Sequence, residues 1–346
     1  MIKQAEKVIE GIEVGNVTKW FVEKVPDIST PLTFQLITGG QSNLTFRVAD
    51  KNGKCFVLRR PPLGQVLESA HDMGREYRII SSLAPTDIPV PHTFGICRDQ
   101  AVNGADFYVM HFVDGIVHND SVSAAKIPEQ ARMSLGFDIM DVLIKLHNID
   151  PDNVGLGNLG KKQEYVGRQV KRWTKQWEKS KTEDIPEIDQ ITDLLKKNVP
   201  VQQGAVIAHG DYRPGNLIVS DNRVAAVLDW ELCTLGDPLA DVGYLLNWWS
   251  TPEEVELGPG DNAPTAVGGF PGRDELVTRY EKSTGRDLSD IDYYRSLLYW
   301  RLAVIYQGVC KRYSKGAMGA GNNFSMTTAK ANIQKLIKNA LDLLNK

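Results

Sequence analysis

The sequence predicts an α+β fold in two parts: a small N-terminal lobe with an antiparallel sheet and a larger, mostly helical C-terminal lobe. Three observations carry this. Between Pro31 and Phe112 apolar residues tend to alternate and turn residues recur at short intervals, as in a strand meander. Beyond Gly115 the apolar spacing lengthens to that of amphipathic helices. The chain also has 346 residues, enough for two packed domains. The expected division is residues 1–112 and 113–346.

Residues 1–30 read as one or two amphipathic helices. Three strands follow at Thr33–Thr38, Leu44–Ala49 and Lys54–Arg60, joined by the turns Gly39-Gly40-Gln41-Ser42-Asn43 and Asp50-Lys51-Asn52-Gly53. If Asn52-Gly53 is a two-residue hairpin loop, Val48 lies opposite Val57, and Arg59 shares the face of Val57 because side chains alternate. Glu68–Leu83 has helical spacing and stops at Ala84-Pro85, since proline disfavours helix in the residue before it. Strands near Thr93–Cys97 and Phe107–Phe112 complete the sheet. Helices are expected over Gln130–His147, Tyr165–Lys179, Ile188–Asn198, Arg273–Lys282, Asp292–Tyr313 and Thr327–Asn345, and a loop over Gly258–Gly272. Ala205–Asp229 stands apart, because short strands and tight turns return there.

Composition removes several function classes. No window approaches the roughly eighteen apolar residues of a membrane span. The net charge of −3 supplies no positive field for nucleic acid or an anionic membrane. Cys55, Cys97, Cys233 and Cys310 are scattered without disulfide or metal spacing, and the N-terminus interleaves charges with apolar residues, unlike a secretory signal. A cytoplasmic protein is expected. His71, His92, His111, His118 and His147 show no metal spacing and read as structural.

Chemistry concentrates in His209-Gly210-Asp211-Tyr212-Arg213-Pro214-Gly215-Asn216, followed by a hairpin turning at Asp221-Asn222 and ending at Asp229. Pairing Ser220 with Arg223 puts Asn216 on the face of Asp229, one diagonal step away. An amide oxygen and a carboxylate then converge, which suits Mg²⁺, a cation that takes one or two carboxylates plus substrate phosphates. Asp211, free of metal, can accept a hydroxyl proton. The spacing HxDxxxxN with a later Asp is that of a phosphoryl-transfer loop.

Through GGQSNLTFRV, VLRRPP, REYRII, VMHFVDG, HGDYRPGN and VLDWELCTLGDPLADVGYLL the chain resembles the aminoglycoside phosphotransferase and choline kinase family, most of all the kinase-like part of acyl-CoA dehydrogenase fusion proteins. The resemblance implies a bilobal protein-kinase-like fold with ATP in the cleft, Asp211 as catalytic base, and Asn216 and Asp229 as Mg²⁺ ligands, with His209 supporting the loop. Arg59 stands where protein kinases carry lysine, so it would reach the phosphates and pair with Glu76. Asp229-Trp230-Glu231 replaces D-F-G and removes the glycine of that switch. The turn residues Gly39, Gly40, Ser42 and Asn43 would approach the phosphates, Met110, His111 and Val113 would present backbone to adenine, and Val48 and Val57 would cover the ring.

Asp237 with Pro238 reads as a helix start, Asp241 as a buttress of the catalytic loop, and the Trp173/Trp177 pair as helix packing. Lys161–Lys181 holds eight Lys/Arg against two acidic residues, and Arg168, Arg172, Lys175 and Lys179 share one helical face. That face favours an anionic acceptor such as a hydroxyacyl-CoA, with an aminoglycoside-like alcohol as the other choice. The alternative to a kinase is a nucleotide-binding pseudokinase adaptor. ATP or GTP, and monomer or homodimer, remain open.

Overall fold

A computed structural model of the chain describes residues 9–37, 43–63, 72–254, 263–314 and 325–346. They form two compact units, Met1–Gly115 with Ala225–Glu231, and Ile116–Val224 with Leu232–Lys346. The first unit therefore takes in a short segment from far along the chain, which a contiguous division at 112/113 does not anticipate. The fold is α+β.

The first unit holds β1 (Thr33–Leu36), β2 (Leu44–Ala49), β3 (Cys55–Arg60), β4 (Thr93–Cys97) and β5 (Phe107–His111), an antiparallel sheet in the order β1-β2-β3-β5-β4. Helix α1 (Val14–Lys24) covers one face through Val17, Trp20 and Phe21, which pack with Phe46, Val48, Phe56, Leu58 and Phe107. Helix α2 (Met73–Leu83) starts on the N-cap Asp72, whose carboxylate accepts the Arg75 N–H, and α3 (Gln100–Asn103) is a single turn.

The register between β2 and β3 corrects the sequence reading by one residue. Val48 pairs with Phe56, and Arg47 with Val57. Asp50 is the cause: its Oδ1 accepts the N–H groups of Asn52 and Lys54, both at 2.8 Å, and its own N–H bonds Lys54 O, so the loop holds three residues rather than two. A one-residue slip exchanges faces. Val48 therefore points into the α1 core with Phe56, while Val57 shares the other face with Arg59 and lies opposite Met110 on β5. The two valines cannot cover one ring together.

The second unit begins with β6 (Ile116–Val117) and α4 (Ser121–Ala124). The long helices α5 (Glu129–Asn148), α6 (Tyr165–Ser180) and α7 (Pro186–Lys197) follow. Next come β7 (Val206–Ala208), β8 (Leu217–Ser220) and β9 (Arg223–Val227), whose last residues run in the first unit, then β10 (Thr234–Gly236), antiparallel to β7. Helices α8 (Pro238–Asn247), α9 (Arg273–Thr284), α10 (Ile291–Ser314) and α11 (Met326–Leu344) complete it. The helices expected in this unit are all present within two residues at each end, because their apolar faces recur at the helical period, whereas α2 of the first unit begins at Met73 on its cap Asp72 and not at Glu68. Asp221 and Asn222 both take positive φ, 50° and 58°, as a tight two-residue hairpin turn demands. Asp237 caps α8 by accepting the Leu239 N–H at 3.0 Å, with Pro238 at the first position, as the sequence predicts.

Candidate active site

Asp211 sits in the second unit on the loop between β7 and the single 3-10 turn Pro214–Asn216. This loop is held at several points. Asp241 of α8, 1% exposed, accepts the N–H of His209 at 2.6 Å and that of Gly210 at 2.8 Å. The Asp211 N–H donates to His209 Nδ1 at 3.2 Å, and the buried Tyr212 hydroxyl donates to Ile139 O at 2.7 Å. Gly210 has φ +83°, and a Cβ there would stand 2.8 Å from Leu232 O, so both conformation and space require glycine. Asp241 thus buttresses the loop, as expected. Behind it, His147 Nε2 lies 3.3 Å from Asp241 Oδ2, and His147 Nδ1 lies 2.7 Å from the Tyr280 hydroxyl. An ionised carboxylate only accepts, so Nε2 carries the proton and Tyr280 donates to Nδ1.

The Asp211 carboxylate is 18% exposed, reachable yet anchored. Asn216 Nδ2 donates to its Oδ2 at 2.6 Å and to its backbone O at 2.8 Å. Arg213 Nε lies 3.5 Å from Oδ1, and the Tyr244 hydroxyl bonds to the same carboxylate. Burial, then the Asp211 charge, pushes the Tyr244 phenol well above its ordinary value, so it stays a donor. With Nδ2 of Asn216 directed at Asp211, its amide oxygen remains for a hard cation.

In the first unit Arg59 and Glu76 meet as predicted, Nε to Oε2 at 3.1 Å. Arg59 Nη2 also reaches Asp229 Oδ1 at 2.8 Å, a contact the sequence did not announce. Glu76 is 3% exposed, and burial pushes its carboxyl up to about 7, with Asp229 and Glu231 adding to the rise and Arg59 opposing it. Burial works against the charge of Arg59, but Glu76 and Asp229 more than offset it and the proton is held tightly. Asp229 has φ +64°, a conformation that a non-glycine residue adopts at a cost of about 1–2 kcal/mol. Its Oδ2 is the oxygen left for a metal. A free carboxylate oxygen suits Mg²⁺, which usually takes one or two carboxylates and fills its remaining positions with water and phosphate.

The other expected nucleotide contacts are distributed as follows. Gly39, Gly40 and Ser42 lie outside the described residues. Asn43 is buried at the start of β2. Val57 and Met110 are buried neighbours on β3 and β5. His111 is exposed, with its N–H bonded to His92 O at 2.7 Å, and Val113 is half-buried beyond the end of β5. The sequence reading missed Arg213, Tyr244 and Arg301. Arg213 carried a signal, two positions after Asp211 in the loop; the other two are brought beside it only by the packing of α8 and α10, elements in contact.

A model of the phosphotransferase enzyme family matches residues 33–276. The chain is 35% identical over 293 residues to acyl-CoA dehydrogenase family member 10 of Mus musculus, covering 83% of this chain and 27% of that protein. To member 11 of the same organism it is 33% identical over 323 residues, covering 92% and 41%. The chain thus spans less than half the length of these relatives. Among solved structures, a proposed aminoglycoside phosphotransferase from Ralstonia eutropha JMP134 aligns with a TM-score of 0.81 at 31% identity, covering 96% of this chain and 98% of that one. A thermostable mutant of aminoglycoside phosphotransferase APH(4)-Ia, in ternary complex with AMP-PNP and hygromycin B, shares the fold at a TM-score of 0.60 and 15% identity, covering 94% and 98%.

Proposed function

The chain belongs to the phosphotransferase enzyme family, and from that membership we propose that it transfers the γ-phosphoryl group of MgATP to a hydroxyl of a small anionic molecule. The observation that carries the reading is the Asp211 carboxylate, partly exposed and fixed by Asn216, with a guanidinium beside it. The acceptor oxygen attacks the γ-phosphorus as the bond to the bridging β–γ oxygen breaks, Asp211 takes the hydroxyl proton, and ADP leaves. Arg213 offers positive charge to the transferring group.

Asn216 and Asp229 are the proposed Mg²⁺ ligands; the ion, when bound, neutralises charge building on the phosphates. Arg59, held by Glu76, grips phosphate oxygens with the part of its fork that Asp229 does not use. Val57 and Met110 line the adenine side. The N–H groups of His111 and Phe112 already bond His92 O and Cys55 O, which makes Val113, beyond the strand, the better backbone donor to the base. Gly39, Gly40, Ser42 and Asn43 are the residues proposed to approach the phosphates. Residues 1–112 are then the nucleotide-binding lobe and 113–346 the catalytic and substrate-binding lobe. Four free thiols accord with a reducing, cytoplasmic setting.

For the acceptor, Arg172, Lys175 and Lys179 on α6 are exposed, which favours an anion such as a hydroxyacyl-CoA over a polycationic aminoglycoside. ADP release should be screened against hydroxyacyl-CoAs, aminoglycosides, choline and sugars, with Asp211→Ala as control. Acceptor-dependent release that vanishes in the control supports transfer, and release that persists in it removes Asp211 as base. Charge reversal at Arg172 and Lys175 should weaken the acyl-CoA and not ATP. The adaptor alternative draws on Arg59 occupying Asp229; it predicts nucleotide binding with no acceptor-dependent ADP release from any compound.

A further inference from the structure

Arg301 of α10 differs from several partly buried arginines of the second unit: Arg132 and Arg286 each donate to several oxygens of the chain. Arg273, Arg279 and Arg295 each hold a carboxylate, at 2.6, 2.6 and 3.2 Å. Among the described residues no carboxylate lies within 4.0 Å of Arg301. Its Nη2 makes one long bond, 3.4 Å, to Gly210 O, and its buried Nε has no acceptor among the described residues. The guanidinium is flanked instead by rings, Tyr244 at 5.4 Å and Trp173 at 5.9 Å. A second buried donor without an acceptor, Trp248 Nε1, lies in the same neighbourhood, on a ring that packs against Tyr244 and carries Arg213 at 4.7 Å.

A guanidinium does not deprotonate in a protein, so its charge must be compensated or left costly. Among the described residues the compensation inside the unit is one distant carbonyl and two aromatic faces, against the carboxylates or multiple carbonyl oxygens that Arg132, Arg273, Arg279 and Arg295 hold. The location is specific. Gly210 immediately precedes Asp211, and the Tyr244 ring beside Arg301 bears the hydroxyl that bonds the Asp211 carboxylate. Arg301 is thus one residue removed from Asp211 through Gly210 and one ring removed from its carboxylate through Tyr244.

Resting on the reading of Asp211 as base, we infer that Arg301 is a specificity-determining residue that binds a carboxylate or carbonyl oxygen carried by the acceptor within a few bonds of its reacting hydroxyl. Trp173 and Tyr244 hold the guanidinium plane toward that oxygen. A polycationic acceptor meets repulsion at this point, and a neutral alcohol leaves the donors unanswered. The recognition is local to the acyl or hydroxy-acid end of the acceptor and is separate from the exposed lysines and arginines of α6.

The test is calorimetric, in the presence of MgADP so that no turnover intervenes. 3-Hydroxybutyrate, its coenzyme A thioester and 1,3-butanediol are titrated into the native protein, Arg301→Gln and Arg301→Lys, with MgADP affinity as the folding control. Binding of the acid or the thioester should fall roughly tenfold or more in Arg301→Gln and recover in part in Arg301→Lys, with butanediol unchanged. Loss for the acid identifies a carboxylate as the recognised group, and loss for the thioester alone a carbonyl. Equal affinity across the three proteins, parallel loss of butanediol, or no binding of either oxygen-bearing probe to the native protein overturns the inference. Arg301-dependent binding without acceptor-dependent ADP release would leave this site standing and remove phosphoryl transfer. ADP release that is indifferent to Arg301 would do the reverse.

Discussion

Arg59 Nη2 lies 2.8 Å from Asp229 Oδ1 while Arg59 Nε lies 3.1 Å from Glu76 Oε2, so one guanidinium holds two carboxylates at once. A planar fork can do this. A lysine ammonium is a single point of charge and would have to divide its contacts between them. The arginine in place of the lysine expected of a protein kinase therefore fits the rest of its surroundings and does not by itself indicate a dead enzyme.

The Arg59–Glu76 pair is testable by its absence. Arg59→Ala leaves a nearly inaccessible carboxylate without its partner, and stability should fall by about 2–4 kcal/mol in urea titrations. Adding Glu76→Gln should restore most of the loss. If the double variant is as unstable as the single one, the loss stems from the packing of the arginine stem and not from an unpaired charge.

Asp229 permits a separation of backbone from side-chain roles. Asp229→Ala, Asp229→Asn and Asp229→Gly should each abolish the Mg²⁺ dependence of nucleotide binding, the proposed metal oxygen being lost or neutralised. Their stabilities should differ. The positive φ of +64° suits glycine and asparagine, so the alanine variant should be the least stable, by about 1–2 kcal/mol relative to glycine. Unaltered Mg²⁺ dependence in all three would remove Asp229 from the metal site.

How far the sequence led can be judged on individual residues. The meeting of Asp211 and Asn216 was legible because the two residues share one short loop. The long helices were legible because burial imposes its period on the chain. The β2–β3 register was not, since the side chain of Asp50 selects a three-residue loop by accepting two backbone N–H groups, a choice invisible in a list of turn formers. Arg301 was not legible either. It lies far downstream of Asp211, and an arginine in a helix reads as a solvated charge until the fold shows its ring neighbours and its missing carboxylate.

Asp241→Asn should act on the catalytic loop without touching nucleotide. The substitution keeps the shape but replaces one acceptor with an amide that faces a backbone donor at His209 or Gly210. A hydrogen bond to a charged group contributes about 1.5–3 kcal/mol. Turnover should drop at least roughly tenfold with KM for ATP nearly unchanged, and melting should move down. A normal turnover number would show that the loop holds its geometry without this carboxylate.

The His147–Asp241 pair sets the response to acid. Complete burial lowers the His147 pKa despite the pull of Asp241, so the folded ring is neutral. For Asp241 burial works upward, but the His147 ring and the Gly210 N–H outweigh it and hold the carboxyl below its ordinary value. Both groups bind fewer protons folded than unfolded, so each contribution is present above the unfolded pKa and is lost as pH falls. For His147 the loss begins below about 6.5, where the unfolded ring takes up its proton; for Asp241 it begins only below about 4. The urea midpoint should therefore decline between pH 7 and pH 5, and His147→Gln, which can still donate to Asp241 but cannot titrate, should flatten that decline. An identical slope in the variant would assign the acid sensitivity to other groups.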